Sequence, residues 1–416
     1  MSAATESSAV APGRLPRLLL ELHADDRAVS LDAHLRRFGP PVPRGDLIAL
    51  VEASGLRGRG GAGFPTGTKL AAVAAQPGRP IIVVNAAEGE PASVKDKALL
   101  RHNPHLVLDG ASFAAEALGA RTAVIAVSAA ATAELARVEA AITERRKRRL
   151  DRVTFRVAEV PDRFVTGEES ALLQAVAGRP AKPTLKPPFP FERGLDNRPT
   201  LVQNAETLAQ LALVARYGPR WFREAGTADA PGTALVTLSG AVVRPGVHEI
   251  ELGTTVGELL ARAGGATEPF SAVLVGGYFG GWIGAAEIDS HRLLPGTLGA
   301  GAIIVFPASA CAVGECARVL RYLAGESAGQ CGPCVHGLAA IADGFERLAL
   351  GRDARPDALR RWAEMIVGRG ACRHPDGAAR FLASSLTVFA DELSRHARNG
   401  VCGRAQRPIL PLGRAS

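Results

Sequence analysis

The sequence predicts an α/β fold, followed by a small β-rich module and a C-terminal bundle of helices. Strand-like and helix-like segments alternate between residues 81 and 158, which is typical of a parallel α/β layer. A hairpin-like pattern follows around 233–250, and helical periodicity dominates from Cys311 onward. A chain of 416 residues is too long for one ordinary core. We expect four parts, listed in order: an N-terminal flexible arm (1–45), an α/β domain (46–230), a β-grasp-like module (231–306) and a helical domain (307–416).

Composition narrows the class of protein. The hydrophobic fraction of 47% and the charged fraction of 22% are those of a globular protein, and no stretch of about twenty apolar residues predicts a membrane span. The first residues lack the pattern of a signal peptide, so we expect a cytoplasmic protein. The net charge of +8 is spread along the chain, and the one dense basic run, 145–149, reads as the solvated end of a helix. With three Trp and three Tyr there is no stacking platform for nucleic acid.

The helix predicted over 46–54 leads into a glycine-rich loop, 55–69, that holds six glycines. Glycine permits positive φ and a close approach of the backbone to a ligand, and successive N–H groups can form an anion-binding concavity. Arg57, Arg59 and Lys69 add positive charge. The usual Rossmann turn is disfavoured because a helix rather than a strand precedes the glycines. A flexible surface loop is the alternative, but the embedded Phe64-Pro65 favours a phosphate cradle for a nucleotide or flavin.

The predicted strand 81–85 ends at Asn85, and a polar loop with Glu88 and Glu90 follows it. Loops behind buried strands are where α/β proteins place ligand contacts, so we expect a site here rather than a solvated turn. Further along, Glu168 and Glu169 open a helix predicted over 170–177, where they either serve the helix dipole or face a ligand.

Two further segments organise the rest of the α/β domain. Six prolines between residues 179 and 199 predict an irregular covering segment. A helix predicted from about 203 to 217 begins at Gln203-Asn204-Ala205-Glu206-Thr207. Beyond it, 233–243, 244–250, the helix 256–263 and the strand 272–275 predict the β-grasp-like module.

All six cysteines lie in the last part of the chain. Cys331-Gly-Pro-Cys334 places two thiols at the start of a predicted helix, where N–H groups favour thiolates, and Cys372 follows. A Cys-x-x-Cys pair with a distant third cysteine predicts iron–sulfur or zinc ligation. A thioredoxin-like redox pair is the competing interpretation, but the βαβ context that it needs is absent from the sequence around it.

Several motifs together resemble the NADH-binding flavoprotein subunit of respiratory complex I and the related diaphorase subunits of NAD-linked hydrogenases and formate dehydrogenases. The motifs occur in the order of that family over about residues 46–400, which makes the resemblance more specific than any one motif. They are Gly-Leu-Arg-Gly-Arg-Gly-Gly-Ala-Gly-Phe-Pro-Thr-Gly (55–67), Asn-Ala-Ala-Glu-Gly-Glu-Pro (85–91), Lys-Asp (95–96), Gly-Glu-Glu-Ser-Ala (167–171), Leu-Lys-Pro-Pro-Phe-Pro (185–190) and Asn-Ala-Glu-Thr (204–207).

The resemblance implies a Rossmann-like flavin/NADH-binding domain, a β-grasp module of the soluble-ligand-binding type and a C-terminal helical bundle for a 4Fe–4S cluster. It implies an FMN-dependent NADH dehydrogenase, with FMN and NADH/NAD as cofactors, in which the flavin carries the chemistry. The implied cofactor-binding residues are Gly58, Arg59, Gly60, Gly61, Gly63, Phe64, Lys69, Asn85, Glu88, Glu90, Glu168, Glu169, Asn204 and Thr207.

Particular roles follow from the same resemblance. The glycines and Lys69 would cradle phosphates, and Phe64 would lie near the adenine or the nicotinamide. Asn85 and Asn204 would bond to the flavin, with Glu168 lining the stack. Glu88 and Glu90 would face the ribose hydroxyls and repel a 2′-phosphate, which predicts a preference for NADH over NADPH.

The sequence departs from the family pattern at several positions. Ala87 stands where the family has Asp, Thr166 where it has Cys, and Gln203 where it has Asn. Ala328 replaces the first cysteine of the cluster motif, while Cys331, Cys334 and Cys372 remain. The fourth ligand then comes from elsewhere, or the cluster has three irons or a non-cysteine ligand, or the cluster is lost. We expect a retained cluster with a substituted ligand, and we take Cys402 as that ligand, with Cys311 and Cys316 as alternatives.

Three classes of function remain open at this point. The first is an oxidoreductase that delivers electrons to a ferredoxin-like or thioredoxin-like iron–sulfur subunit or another redox-enzyme subunit, either free in the cytoplasm or peripheral to a membrane complex through partners. The second is a catalytically degenerate scaffold, which the replacements at Ala87 and Ala328 favour. The third is a zinc-binding or thiol-redox protein without flavin.

Overall fold

The computed structural model describes residues 15–19, 28–42, 45–352 and 355–413. A parallel four-stranded sheet lies at its centre, in the order β3-β2-β1-β4. Its strands are β1 (Ile81–Ala86), β2 (Thr122–Ser128), β3 (Thr154–Val160) and β4 (Thr200–Asn204). The first, second and fourth are β-branched, apolar and nearly all buried, as expected for a parallel sheet covered on both faces.

Helices cover both faces of this sheet. Alternate residues of a strand point to opposite faces, so Ile82 and Val84 pack against the larger group of helices while Ile81 and Val83 pack on the other side. The helices of this part are α1 (Leu31–Phe38), α2 (Leu47–Ser54), α3 (Thr66–Ala74), α4 (Lys95–His102), α5 (Pro104–Leu118), α6 (Thr132–Lys147), α7 (Glu169–Val176) and α8 (Ala205–Phe222). Helix α7 covers the second face through Leu172 and Leu173.

A second, mixed sheet has the order β6-β5-β9-β7-β8. Its elements are β5 (Thr233–Gly240), β6 (Gly246–Glu251), β7 (Phe270–Val275), β8 (Gly281–Gly284), β9 (Ala302–Pro307) and the helix α9 (Val256–Arg262). Strand β9 runs parallel to β5 and antiparallel to β7, and all six of its residues are buried. The sheet with one helix on its face is the β-grasp-like arrangement that the sequence predicts.

Five helices complete the described chain: α10 (Ala312–Gly325), α11 (Ala339–Ala349), α12 (Pro356–Ile366), α13 (His374–Val388) and α14 (Ala390–Asn399). Two details differ from the sequence prediction. The sequence predicts helices over 335–350 and 376–397. The first begins as a π-helical turn, Pro333–Leu338, and the second is divided at Phe389, whose φ and ψ of −104° and 25° leave the helical range. No helix in the described ranges is long and apolar enough to cross a membrane.

The described parts of the expected N-terminal arm pack against the body. Leu18 is fully buried, and the Arg17 guanidinium lies 4.0 Å from the Trp221 ring while donating to the Phe222 carbonyl at 3.0 Å. Residues 31–38 form α1, capped by Ser30. The rest of the predicted arm lies outside the described residues.

One arginine of the basic run also differs from expectation. Arg145 is fully buried and pairs with Asp109 at 2.8 Å and with Asp151 at 2.6 Å. The basic run is therefore exposed to solvent on one side of α6, while Arg145 forms buried ion pairs on the other side.

Candidate active site

The order of the parallel strands creates a crevice at one edge of the sheet. From β1 the chain moves outward to β2 and β3, and then returns to the other side of β1 as β4. In open parallel sheets, ligands bind beyond the carboxyl ends of the strands at such a switch point. Asn85 and Asn204 are register partners at the carboxyl ends of β1 and β4, so the structure brings these two predicted residues together.

The glycine loop lies over this edge. Its ends are tied by the Gly58 N–H, which donates to the Phe64 carbonyl at 2.8 Å. A Cβ added at Gly60 would lie 3.3 Å from the Asn204 Cβ, so the backbone runs directly along that side chain. Gly61 and Gly63 have φ of 103° and 59°, which side chains rarely adopt. We refer to this loop, Asn85, Asn204 and the start of α7 as the cleft.

Arg59 and Thr207, both predicted to bind cofactor, instead hold the loop in place from beneath. The Arg59 N–H donates to the Thr207 hydroxyl at 2.9 Å, and its guanidinium donates to the Thr233 carbonyl at 2.9 Å. Arg59 is 3% exposed and Thr207 is fully buried. Both side chains are thus engaged within the protein, and their direct contact with a cofactor stays a prediction.

Beneath the loop lies a buried polar network that sequence reasoning did not identify. The Lys95 ammonium lies 2.8 Å from both Asp96 and Glu206, and the Asn204 amide donates to Asp96 at 2.5 Å. Burial lowers the pKa of Lys95, but Asp96 and Glu206 outweigh it, so the net pKa is raised and the ammonium is charged. This network and the Glu206 N–H, which donates to the Asn204 side-chain oxygen at 3.0 Å, fix the Asn204 side chain at the end of β4.

Glu88 and Glu90 accept hydrogen bonds from backbone N–H groups. The Glu88 carboxylate accepts from the N–H groups of Asp96 and Lys97, both at 3.1 Å, and so caps α4. Glu90 accepts from the Tyr278 N–H at 2.7 Å and the Ala92 N–H at 3.2 Å, which joins the α/β part to the second sheet. Both carboxylates therefore have backbone donors, and their contact with ribose stays a prediction.

Glu168 and Glu169 do lie in the cleft, paired with two lysines. Lys186 lies 2.8 Å from Glu168 and 3.0 Å from Glu169, and Lys69 lies 3.0 Å from Glu169. Asn85 joins this group because its amide donates to the Gly167 carbonyl at 2.9 Å. All four charged side chains are 21–27% exposed. They are therefore accessible to a ligand.

Electrostatics keep Glu169 ionised. Burial raises the pKa of this carboxyl, but Lys69 and Lys186 together lower it by more, so the net pKa lies below the ordinary value. Lys186 was not among the predicted site residues, although it lies in the Leu-Lys-Pro-Pro-Phe-Pro motif. Phe64, which was predicted, is 52% exposed, and a large exposed aromatic beside a cleft suits stacking on a planar ligand.

Cys331, Cys334 and Cys372 form one group, close to the cleft. Burial raises the pKa of Cys331, but N–H groups of Ala371 and Cys334 bring it below its ordinary value. The pKa of Cys372 is raised to about 11, mainly by burial and in smaller part by the charge of Glu168. Glu168 therefore adjoins both the cysteine group and the charged cluster of the cleft.

The position of the missing cysteine is filled with apolar packing. Ala328 is 8% exposed and lies against Val165 and Ala171. Its N–H and the Ser327 hydroxyl both bond to the Cys334 sulfur. Three thiols with N–H donors fit a cluster, and the Ser327 hydroxyl is the oxygen donor that the structure places beside them.

The expectation that Cys402 is the fourth ligand is corrected by its position. Its sulfur lies within 4.8 Å of ligand atoms of Cys311, Glu392 and His396. Cys311 caps the start of α10, whereas Ala328 follows the end of that helix. A helix of 14 residues is about 20 Å long, so Cys402 belongs to a separate group. Cys316, another alternative, is fully buried near Ser385 and Trp282.

Comparison with known families matches the three parts of the structure. Residues 51–213 match the profile of the Nuo51 FMN-binding domain, and residues 235–277 match that of the SLBB domain. Residues 314–396 match the NADH-ubiquinone oxidoreductase-F iron-sulfur binding region. The cofactor types expected from the sequence, FMN and a 4Fe–4S cluster, are those of the matched domains.

Individual relatives extend over most of the chain. The NADH-quinone oxidoreductase F 2 protein of Rhizobium meliloti is 33% identical over 378 residues, which are 86% of this chain and 90% of the relative. Its counterpart in Mycobacterium tuberculosis is 35% identical over 394 residues, 87% of this chain and 86% of that protein. The NADP-reducing hydrogenase subunit HndC of Solidesulfovibrio fructosivorans is 30% identical and covers 86% of this chain and 77% of HndC.

A solved structure has the same fold. A chain of the air-oxidized NAD⁺-reducing [NiFe]-hydrogenase superposes with a TM-score of 0.79 at 31% identity, and the match covers 88% of this chain and 64% of that longer chain. The order of the motifs, the three matched domains and relatives at 33–35% identity agree with one another. The chain belongs to the family of NADH-quinone oxidoreductase F proteins, which includes the diaphorase-type subunits of hydrogenases.

Proposed function

We propose that this chain is an FMN-dependent NADH dehydrogenase module that passes single electrons through an iron–sulfur cluster to a partner subunit. The observation that carries the proposal is the cleft at the β1/β4 switch point, which adjoins the cysteine group through Glu168. Bound FMN would supply a centre that accepts hydride and releases electrons one at a time. The chain itself supplies binding, orientation and charge.

Each part of the cleft has a role in this proposal. The loop backbone from Gly58 to Gly63 approaches the ligand closely, and Lys69 supplies a positive charge for phosphate. The Asn85 and Asn204 amides are fixed at adjacent strand ends by the Gly167 carbonyl and Asp96, where they would bond to the flavin. Glu169 acts as a hydrogen-bond acceptor because two lysines keep it ionised. Phe64 offers a face to a nucleotide base.

On the cluster side, Cys331, Cys334 and Cys372 would hold three irons, and Ser327 would supply the fourth ligand. This assignment rests on the contact of Ser327 with Cys334 and on the position of Cys402 at the other end of α10. The named relatives are subunits of larger redox enzymes. We therefore propose a ferredoxin-like or thioredoxin-like iron–sulfur subunit as the acceptor.

The test is the visible spectrum of the anaerobically purified chain, recorded before and after addition of NADH and, separately, NADPH. We expect flavin bands that bleach with NADH, above a broad iron–sulfur absorbance. Glu169→Gln should slow the bleaching by at least about tenfold, and Glu139→Gln, an exposed control on α6, should leave it unchanged. Cys372→Ser should remove the iron–sulfur absorbance but keep the flavin.

Bleaching by NADPH alone would overturn the preference for NADH, which rests on the proposed contact of Glu88 and Glu90 with the ribose. A protein that stays colourless after incubation with FMN, iron and sulfide would overturn the proposal of an enzyme and would favour a docking scaffold.

A further inference from the structure

A second group of metal-binding side chains lies at the start of α10, apart from the cysteines of the cluster. Its members are Cys311, Glu392, His396 and Cys402, and their ligand atoms all lie within 4.8 Å of one another. Cys311, Glu392 and His396 are each 2% exposed or less, while Cys402 is partly exposed. The four residues come from three places in the chain, so the fold rather than a local motif brings them together.

The histidine of this group is oriented as a metal ligand would be. Its Nδ1 lies 2.5 Å from the Ala349 carbonyl, so Nδ1 carries the proton. Its Nε2 lone pair then faces the Cys311 sulfur, 3.4 Å away. A histidine that donates one ring N–H to a carbonyl and directs the other nitrogen at a metal is the usual arrangement in metal sites.

The carboxylate is held just as firmly. Glu392 lies four residues before His396 on α14, so both side chains share one face of that helix. One Glu392 oxygen accepts from the Val313 N–H at 3.2 Å, and the other lies 2.6 Å from the Arg404 guanidinium. The carboxylate is thus positioned at the edge of the group with a counter-charge behind it.

Charge and geometry favour a divalent cation. Two thiolates and one carboxylate carry three negative charges, which Zn²⁺ and Arg404 together neutralise. Tetrahedral zinc with bonds of about 2.0–2.3 Å separates its ligand atoms by roughly 3.3–3.8 Å, and the Cys311–His396 separation already falls within that range.

We propose that Cys311, Glu392, His396 and Cys402 bind one structural Zn²⁺ ion. Four protein donors leave no open position, so the site has no catalytic role. Two thiolates and an imidazole select zinc over magnesium or calcium, which prefer oxygen donors. This site is independent of the proposed NADH oxidation.

The zinc would fasten the C-terminal segment 401–413 to the helices. That segment already pairs at Ala405, whose carbonyl accepts from the Cys311 N–H at 3.0 Å. Farther on, the Leu410 N–H donates to Glu315 at 2.8 Å, and the Pro411 carbonyl accepts from the Tyr278 hydroxyl. The segment therefore links the helices to the second sheet, and the metal would secure its first turn.

The experiment measures zinc and iron separately in the full-length chain, purified anaerobically without a metal-affinity tag. Elemental analysis gives the zinc content, and X-ray absorption at the zinc edge identifies the donor atoms. The variants are Cys402→Ser and His396→Gln. Cys316→Ser is the matched control, because Cys316 is a buried cysteine on the same helix that lies outside the group.

We expect about one zinc per chain, bound by two sulfurs at about 2.3 Å and by nitrogen and oxygen at about 2.0–2.2 Å. Zinc should fall at least about tenfold in Cys402→Ser and His396→Gln, and it should stay in Cys316→Ser and in the cluster variant Cys372→Ser. The donor set of the unmodified chain tests the proposal even if a variant fails to fold.

Four outcomes would overturn the proposal. They are a chain without zinc after growth with zinc supplied, zinc retained in both site variants, iron in place of zinc at this site, and a Cys311–Cys402 disulfide found by mass spectrometry of the thiol-blocked protein. The last result would assign the pair to redox chemistry instead.

Discussion

Two pairs of glutamates, Glu88/Glu90 and Glu168/Glu169, look equivalent in the sequence but differ in the structure. Each pair follows a strand of the parallel sheet and lies before or at the start of a helix. Backbone N–H groups occupy both carboxylates of the first pair, and one oxygen of Glu168 likewise accepts from the Ser170 and Ala171 N–H groups, whereas Glu169 pairs with Lys69 and Lys186, each 24% exposed. A carboxylate held by backbone donors serves the fold, while one held by partly solvated lysines can exchange its partners for a ligand.

The largest expected effect is a dependence of the unfolding free energy on pH that arises from Glu90. Burial raises the pKa of Glu90 to about 7, from an ordinary value of 4.5. Its ionisation therefore opposes folding, with no cost below about pH 4.5 and the full cost above about pH 7. Relative to Glu90→Gln, the unmodified chain should lose up to about 3 kcal/mol of unfolding free energy across that interval.

Urea unfolding of both proteins between about pH 5 and about pH 8 measures this difference. Glu139→Gln should give a difference that does not depend on pH. Parallel curves for Glu90→Gln and the unmodified chain would mean that water reaches the Glu90 carboxylate, and the contrast between the pairs would weaken.

The second expected difference is in stability. Glu88→Ala removes the acceptor for the Asp96 and Lys97 N–H groups and for the Ser93 hydroxyl, so we expect a loss of about 2 kcal/mol. Glu169→Ala should cost less than about 1 kcal/mol, because its partners are lysines that water can solvate. Chemical denaturation compares the two variants directly, and equal losses would contradict the division into structural and cleft carboxylates.

The smallest expected effect concerns Lys186. Lys186→Met should raise the pKa of Glu169 toward its ordinary value and lower the unfolding free energy by less than about 1 kcal/mol. A carboxyl with a lowered pKa stabilises the fold above its unfolded pKa, so the loss should be present at neutral pH and vanish as pH falls below about 4. Lys182→Met, at an exposed position of the same proline-rich segment, is the control for the unfolding measurement.

Periodicity predicted most of the elements because each has one clear face. The helix predicted over 46–54 has nearly the bounds of α2, and the strand-like segments between residues 81 and 158 correspond to β1, β2 and β3. The strands β4 and β9 were missed because each is an apolar run next to proline or glycine that period-two alternation does not mark. Phe389 was missed as a helix end because no glycine or proline marks it.

The site was predicted in outline because its motifs lie at the ends of predicted helices and strands. Asn85 follows from its place at the end of a predicted strand, Asn204 from the motif at the start of a predicted helix, and the cysteine triad from spacing. The direction in which a side chain points does not follow: Arg59 lies in a glycine loop that suggests phosphate, yet it pairs with Thr233 and with Glu206 at 3.8 Å. Likewise, the distance between Cys402 and the other cysteines depends on how five helices pack, which spacing in sequence does not record.

The buried network under the glycine loop also determines how the protein can be divided. Glu206 of the α/β part accepts from the Leu235 N–H at 2.9 Å, and Arg59 bonds to the Thr233 carbonyl, so both reach the first strand of the β-grasp module. Excising that module at residue 230 would leave Glu206, Arg59 and Gln210 without these partners. The flavin-binding part therefore depends on contacts with β5. Any chimera or minimal fragment of this part must include that strand.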